Sequence, residues 1–140
     1  MKKLLFALAA LSTLVPFFAF AKVYKTNQTN DKSIIYLNYC SNYGKGVEFS
    51  FQSCVNDNFS SVGRELGGYF SYCANYGDEV SYSFTSCVNS GFSEAARLLD
   101  NKIFLQNCFN FNQKELDFSF ISCVNSNYSE ISRAISQRFK

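Results

Sequence analysis

The six cysteines are the residues of this chain whose type and spacing suggest chemistry. Cys-x-x-Cys spacing is typical of zinc sites and of disulfide exchange, and it does not occur here. An even number of cysteines in a small exported chain is typical of structural disulfides. We therefore expect three disulfides among Cys40, Cys54, Cys73, Cys87, Cys108 and Cys123, no metal site and no redox catalysis.

The residue types that are missing exclude several other reactions. The chain has no histidine, which rules out Ser-His and Cys-His nucleophilic catalysis and imidazole metal sites. Its acidic residues could include a catalytic carboxylate pair of the kind that glycosidases use. None of them recurs at one position in all copies of the repeat described below. We predict that the protein is not an enzyme and uses no cofactor.

Residues 1–21 have the pattern of a signal peptide. Met1-Lys2-Lys3 is a short basic start, an apolar stretch follows, and Ala19-Phe20-Ala21 is a small-x-small cleavage motif. The alternative is an uncleaved membrane anchor, but Pro16 interrupts an apolar stretch that is near the lower length limit for a span. We expect cleavage before Lys22, export to the periplasm or the medium of a bacterium, and a loose N-terminal arm over residues 22–32.

Charge gives no sign of a nucleic-acid partner. The full chain carries 13 Lys+Arg against 11 Asp+Glu, and Lys2 and Lys3 account for the whole excess. The expected mature chain is thus neutral, without the basic surface that nucleic acids or anionic membranes attract. It also has no second apolar run long enough to span a bilayer.

Residues 33–140 contain three copies of one unit, at about 33–59, 60–92 and 93–128, followed by a terminal element at 129–140. Each copy has a Ser-Cys-Val-Asn sequence after an aromatic pair, and each has an earlier cysteine followed two residues later by asparagine. Such periodicity is typical of repeat proteins. We expect one domain built from these copies.

Apolar residues at helical spacing, as in Val47, Phe51 and Val55, favour helices over strands. Gly or Asn at positions 58, 91 and 127 indicates helix ends, and Ser60, Ser93 and Ser129 indicate new N-caps. These signals predict an all-α fold of three stacked, disulfide-bridged helical hairpins, an α/α solenoid, with a C-terminal capping helix at 129–140. The first helices of the hairpins are expected at 33–43, 60–76 and 93–111, and the second helices at 47–57, 79–90 and 114–126.

Six cysteines allow fifteen pairings, and the repeat favours one of them. In that pairing Cys40 bonds Cys54, Cys73 bonds Cys87 and Cys108 bonds Cys123. Each bond would link the two helices of one hairpin. The two cysteines would then be offset by roughly 6 Å along parallel helices, which requires close packing or a tilt.

Two further sets of recurring residues are candidates for binding. Arg64, Arg97 and Arg133 each follow the capping serine by four residues and could form a ladder of donors for acidic groups. The favoured alternative is structural, in which each stacks on a nearby aromatic ring or bonds the end of the preceding helix. Tyr39 and Tyr72 precede their cysteines and could be exposed contact residues or could pack against a neighbouring repeat.

In period and outline the chain resembles the Sel1-like and tetratricopeptide repeat families. Tyr43-Gly44-Lys45-Gly46-Val47 is similar to the Gly-x-Gly-Val turn of Sel1-like repeats, whereas the second copy keeps one of those glycines and the third keeps none. The resemblance implies stacked hairpins that serve as a binding surface. We therefore predict an exported module that binds a protein or peptide partner. The alternative is a small secreted effector or inhibitor that acts outside the cell.

Overall fold

The computed structural model describes residues 35–138, and the predicted signal peptide and N-terminal arm lie outside this range. Within it the regular structure is helical, with α1 at Phe49–Leu66, α2 at Tyr82–Leu98 and α3 at Phe118–Arg138. The predicted all-α class is confirmed for this part of the chain. No helix in it has the length and the hydropathy to cross a bilayer.

The predicted hairpins are wrong, because each repeat forms one long helix and one segment without regular structure. We name these segments S1 (residues 35–48), S2 (67–81) and S3 (99–117). The expected first helices fall largely on them. The expected second helices begin a few residues later than predicted and continue through the positions at which they were expected to end. Within the expected cap, residues 129–138 form the second half of α3 and not a separate helix.

The helices continue because their apolar faces continue. In α1, Phe51, Val55, Phe59 and Val62 follow one another at helical spacing, and all four are buried. The serines that were expected to be N-caps lie inside helices instead. Ser93 and Ser129 donate their hydroxyl protons to the carbonyls of the residues four before them, at 3.1 and 3.0 Å. That bond satisfies the hydroxyl without ending the helix.

An asparagine in each helix, buried in α1 and α3 and half-buried in α2, holds the cysteine of a neighbouring segment. Asn56 on α1 binds Cys73 of S2 by accepting from its N–H (2.7 Å) and donating to its carbonyl (2.9 Å). Asn89 on α2 binds Cys108 of S3 in the same way, at 2.7 and 2.8 Å. Each helix is thereby fastened to the segment of the next repeat.

The third asparagine closes the molecule into a ring. Asn125 on α3 makes the same two bonds to Cys40 of S1, at 2.7 and 2.9 Å, so the last repeat holds the first. An open solenoid of three repeats has no contact between its first and third units. The predicted solenoid is therefore wrong, and the repeats are arranged around a central axis.

Aromatic rings fill this axis. Phe59, Phe92 and Tyr128 occupy equivalent positions on the three helices, and all three pairs are in contact, with centroids 5.2–5.4 Å apart and planes inclined by 61–66°. This edge-to-face geometry is favourable by about 0.5–1.5 kcal/mol for each pair beyond the burial of the rings. Phe84 also lies 6.4 Å from both Phe51 and Phe120, nearer the helix N-termini.

The three disulfides have the pairing that the repeat predicted. Their Cα–Cα distances are 5.5 Å for Cys40–Cys54, 5.5 Å for Cys73–Cys87 and 5.6 Å for Cys108–Cys123. The offset expected for two packed helices does not arise, because the first cysteine of each pair lies on a non-helical segment. Each segment is thus bonded covalently to its own helix and through asparagine to the preceding one.

Candidate binding surfaces

The loops before the three helices meet at one end of the ring. The Val80 N–H of S2 donates to the Gln113 carbonyl of S3 (2.7 Å), and the Leu116 N–H of S3 donates to the Lys45 carbonyl of S1 (2.5 Å). At the third boundary, a Cβ on Gly46 of S1 would lie 2.6 Å from the Asp78 carbonyl oxygen of S2. The loops therefore form one continuous surface around the axis.

Recurring asparagines fix the shape of each loop. Asn42 accepts the Glu48 N–H (2.8 Å) and donates to the carbonyls of Gly44 and Gly46 (2.8 and 2.9 Å). Asn75 and Asn110 make the equivalent bonds in S2 and S3, as in the Ser81 N–H to Asn75 contact at 2.8 Å. Side chains on these loops are therefore held on a defined backbone.

Six aromatic side chains project from this surface into solvent. They stand at two equivalent positions of each repeat, one at the start of the loop and one at the first residue of the helix. Their exposed fractions lie between 77% and 90%. We call this set the aromatic crown, and it consists of Tyr43, Phe49, Tyr76, Tyr82, Phe111 and Phe118.

A further set of exposed aromatic residues lies outside the crown. Tyr36, Tyr69 and Phe104 stand four residues before the first cysteine of each repeat and are 82–85% exposed. Tyr36 lies beside the later half of α3, because the carbonyl of the adjacent residue Ile35 accepts a hydrogen bond from the Ser132 hydroxyl (2.8 Å).

The predicted arginine ladder does not form a row. Arg64, Arg97 and Arg133 lie on three separate helices around the axis, and all are exposed. Arg97 binds Glu94 at 2.7 and 2.5 Å, and Arg133 binds Glu130 in the same bidentate manner. Arg64 donates to the hydroxyl of Ser61 at 3.0 Å. A binding role for these arginines stays a prediction.

The two ion pairs shift the titration of their members. The hydrogen bond from Arg97, and secondarily its charge, lowers the pKa of Glu94 below its ordinary value of 4.5 and raises the pKa of Arg97. Glu130 and Arg133 shift in the same directions for the same cause. Both pairs are exposed to solvent, so their contribution to stability is small.

The predicted tyrosines are more than half exposed, at 67% for Tyr39 and 62% for Tyr72. The hydroxyl of Tyr72 accepts a bond from the Gln52 amide (3.2 Å). Tyr39 and Arg133 line one groove of about 390 Å³ between S1 and α3. The structure thus brings together one member of each predicted set.

Equivalent grooves differ between the repeats. The groove between S3 and α2 has a volume of about 510 Å³ and includes Asn107 at the position of Tyr39. Between S2 and α1, Phe70 lies flat on Phe59, with ring centroids 5.2 Å apart and an interplanar angle of 9°. Leucine occupies the position of Phe70 in the other two copies, so the ring stack is particular to this boundary.

A cleft lies within the crown at the boundary of S2 and S3. It has a volume of about 380 Å³. Its lining consists of two aromatic rings, one carboxylate and a set of neutral groups, and comprises Tyr76, Glu79, Val80, Ser81, Tyr82, Thr85, Asn110 and Gln113.

The remaining groups offer little reactive chemistry. Within residues 35–138, no cluster of three or more Cys, Asp or Glu side chains could hold a metal ion, and all cysteines there are in disulfides. Burial raises the pKa of Tyr128 well above its ordinary value of 10.0, and its hydroxyl donates to the Val55 carbonyl (2.9 Å). This tyrosine is 2% exposed and belongs to the core, although it also borders the groove between S1 and α3, and its hydroxyl proton is already donated to Val55.

Sequence reasoning did not assign a role to the asparagine of the Ser-Cys-Val-Asn motif, and it assigned Asn58 and Asn127 to helix ends. Asn58 instead binds the backbone of Asn38 through two bonds of 2.8 Å, and Asn127 binds Gln106 at 2.9 and 2.8 Å. Each of these asparagines also begins an Asn-x-Ser glycosylation motif, and because both side chains are at most 2% exposed, neither motif is accessible in the folded chain. The signal that could have been read is recurrence of a polar residue on an otherwise apolar helix face.

Comparison of the chain with known protein families, with curated proteins and with solved structures gives no match. The resemblance to Sel1-like and tetratricopeptide repeats stays a prediction. The argument for function therefore depends on the surfaces described above.

Proposed function

We propose that this protein is an exported, non-catalytic binding module that docks on a protein partner through its aromatic crown. The observation that carries the proposal is that both crown positions are aromatic and exposed in all three repeats, and that the loops which carry these six rings are joined into one surface at one end of the ring. A ring that is 77–90% exposed contributes little to the core, so folding alone gives no reason to keep it in every copy. Exposed apolar surface of this kind is typical of interaction sites.

The chemistry of the crown favours a protein partner. Tyrosine and phenylalanine are enriched in the centres of protein interfaces, because they bury a large area and lose few rotatable bonds. The asparagine bonds fix the loop backbone next to the six rings before binding, which lowers the entropic cost of association. The disulfides support an oxidising location, as expected for an exported chain.

The docking proposal is tested by capture from the native cell envelope, followed by mass spectrometry. The crown variant Tyr43→Ser/Tyr76→Ser/Phe111→Ser is expected to lose a partner that the unsubstituted protein retains. The matched control is Tyr36→Ser/Tyr69→Ser/Phe104→Ser, which removes three equally exposed aromatic residues outside the crown. Equal capture by both variants contradicts docking through the crown.

Export is tested by the intact mass of the protein from its native host, measured without reduction after thiol alkylation. We expect a chain that begins at Lys22, is six hydrogens lighter than the reduced form, and carries no alkyl group. A chain that retains Met1, or one with alkylated cysteines, contradicts export. Cell fractionation then separates a periplasmic module from the alternative, a secreted effector or inhibitor.

A further inference from the structure

A lysine forms an ion pair across the boundary between S3 and S1. Lys45 of S1 places its Nζ 3.2 Å from Oε1 of Glu115 on S3. The Leu116 N–H to Lys45 carbonyl bond brings these two loops together. The chain itself thus supplies an ammonium group to the carboxylate of the neighbouring repeat.

The boundary between S2 and S3 has the same backbone contact, but it has no lysine at the position of Lys45. The Val80 N–H binds the Gln113 carbonyl as the Leu116 N–H binds the Lys45 carbonyl. Glu79 therefore corresponds to Glu115, and Gln113 corresponds to Lys45. No lysine or arginine lines this cleft, and no ion pair to Glu79 is formed within residues 35–138.

The third boundary has no carboxylate at the position of Glu115, and its acid, Asp78, stands instead at the position of Lys45. Gly46 occupies the position of Glu79 and Glu115, and it lies against the Asp78 carbonyl so closely that a Cβ has no room. Of the three boundaries, the S2–S3 cleft is therefore the one that has a carboxylate at the Glu115 position and a neutral residue at the Lys45 position.

The rings of this cleft suit a cation as well. Tyr76 and Tyr82 line it together with Glu79, and their exposed fractions are 86% and 85%. Aromatic faces attract ammonium and guanidinium groups, and the long stems of lysine and arginine can lie along the rings while the charge reaches the carboxylate. A neutral side chain would bury apolar area here but would leave the carboxylate without a partner.

We propose that the S2–S3 cleft binds a lysine or arginine side chain of the protein partner, in the role that Lys45 fills within the chain at the S3–S1 boundary. This proposal rests on the proposed docking function of the crown, and it specifies that the partner presents a positively charged side chain. The cleft would then give the otherwise threefold surface a single orientation towards its partner.

The test uses two peptides, acetyl-Gly-Lys-Gly-amide and acetyl-Gly-Arg-Gly-amide, titrated into the folded, oxidised protein and followed by NMR. The matched neutral probe is acetyl-Gly-norleucine-Gly-amide. Shifts at Tyr76 and Tyr82 are expected with the charged peptides. Glu79→Gln is expected to weaken binding roughly fivefold, the range of an exposed ion pair combined with ring contacts. Equal shifts with the neutral probe, or unchanged binding by Glu79→Gln, overturns the proposal.

Two exchanges between the boundaries sharpen the test. Gln113→Lys reproduces the Lys45–Glu115 arrangement and is expected to fill the cleft and abolish peptide binding. Lys45→Gln is expected to open a second site, with new shifts at Phe111 and Phe118. If Gln113→Lys binds as well as the unsubstituted protein, the inference is wrong. If the crown variant loses envelope capture while Glu79→Gln captures normally, docking through the crown is supported. The proposed binding of a cationic side chain is then wrong.

Discussion

Asn125 and Cys40 are 85 residues apart in sequence and are joined by two hydrogen bonds, one in each direction between the amide side chain and the backbone. Asn125 also donates to the carbonyl of Ile121 (2.9 Å) and is 7% exposed. This contact fastens the last helix to the first segment, and it converts a linear array of repeats into a closed one.

The first prediction concerns this closure. Asn125→Ala leaves the buried N–H and carbonyl of Cys40 without their partner, and we expect a loss of about 2–4 kcal/mol in the free energy of unfolding. Urea unfolding of the oxidised protein measures it. Asn107→Ala, at an exposed position of S3, is the control and should change little. A loss below about 1 kcal/mol would show that the other contacts between the last and the first repeat are enough to hold the ring closed.

Gly91 provides a second prediction, because helix propensity and packing predict opposite signs. Alanine is favoured over glycine by about 1 kcal/mol inside a helix. A Cβ on Gly91, however, would lie 2.5–2.8 Å from ring carbons of the buried Phe59. We expect packing to dominate and Gly91→Ala to destabilise the protein by about 1–3 kcal/mol.

The neighbouring residue supplies the comparison. Ser90 is exposed on the same helix, and Ser90→Ala should be neutral or slightly stabilising. Thermal unfolding of the two variants, measured side by side, shows whether Gly91→Ala lowers the melting temperature while Ser90→Ala does not. A stabilised Gly91→Ala protein would mean that Phe59 has room to move within the aromatic cluster.

The buried Tyr128 predicts that the stability of the fold decreases at alkaline pH. Burial raises its folded-state pKa above 10.0, so the neutral form is favoured in the fold. The resulting stability is fully present below the unfolded-state pKa and is lost as the pH rises through the folded-state value. Tyr128→Phe removes this dependence and also the bond to the Val55 carbonyl, at a cost of about 1 kcal/mol near neutral pH.

Urea midpoints measured from pH 7 to 11 test this expectation. Phenylalanine already stands at the equivalent positions 59 and 92, so the substitution keeps the shape of the cluster. The unsubstituted protein should lose stability above pH 10 more steeply than the variant. Parallel curves for the two proteins would exclude Tyr128 as the cause.

Removing one member of a surface ion pair is expected to change the pKa of the other member and to change the stability of the fold little. Arg97→Gln should raise the pKa of Glu94 towards 4.5, because the hydrogen bond and charge that lower it are removed. With a lowered folded-state pKa, Glu94 stabilises the fold above its ordinary pKa and loses that contribution as the pH falls through the lowered value. NMR titration of the Glu94 side chain measures the shift, and Arg64→Gln is the control, because Arg64 lies beside Ser61 where Arg97 has Glu94.

The partner residues of the disulfides could be read from sequence because they are a property of the repeat. A unit that recurs three times must make equivalent bonds, and Cys40–Cys54 is the shortest equivalent pairing. The helical class followed in the same way from the spacing of Phe51, Val55 and their counterparts. Helix ends were misread at Asn58 and Gly91, since glycine and asparagine have roles besides ending helices. Asn58 binds the backbone of Asn38, and Gly91 leaves room for the ring of Phe59. The local sequence does not identify either partner.

The sequence alone determined the repeat, the helical class, the disulfide pairs and the chemistries that a chain without histidine lacks, because each depends on residue types and local spacing. The tertiary structure decided that the repeats close around an axis and that six aromatic residues gather at one end. It also decided that Lys45 meets Glu115 while Glu79 meets no cation of the described chain. These relationships join residues of different repeats, and the path of the segments between the helices sets them. Side-chain amides of the helices hold those segments, as Asn125 of α3 holds Cys40 of S1, and the spacing of residues in the sequence does not encode such long-range bonds.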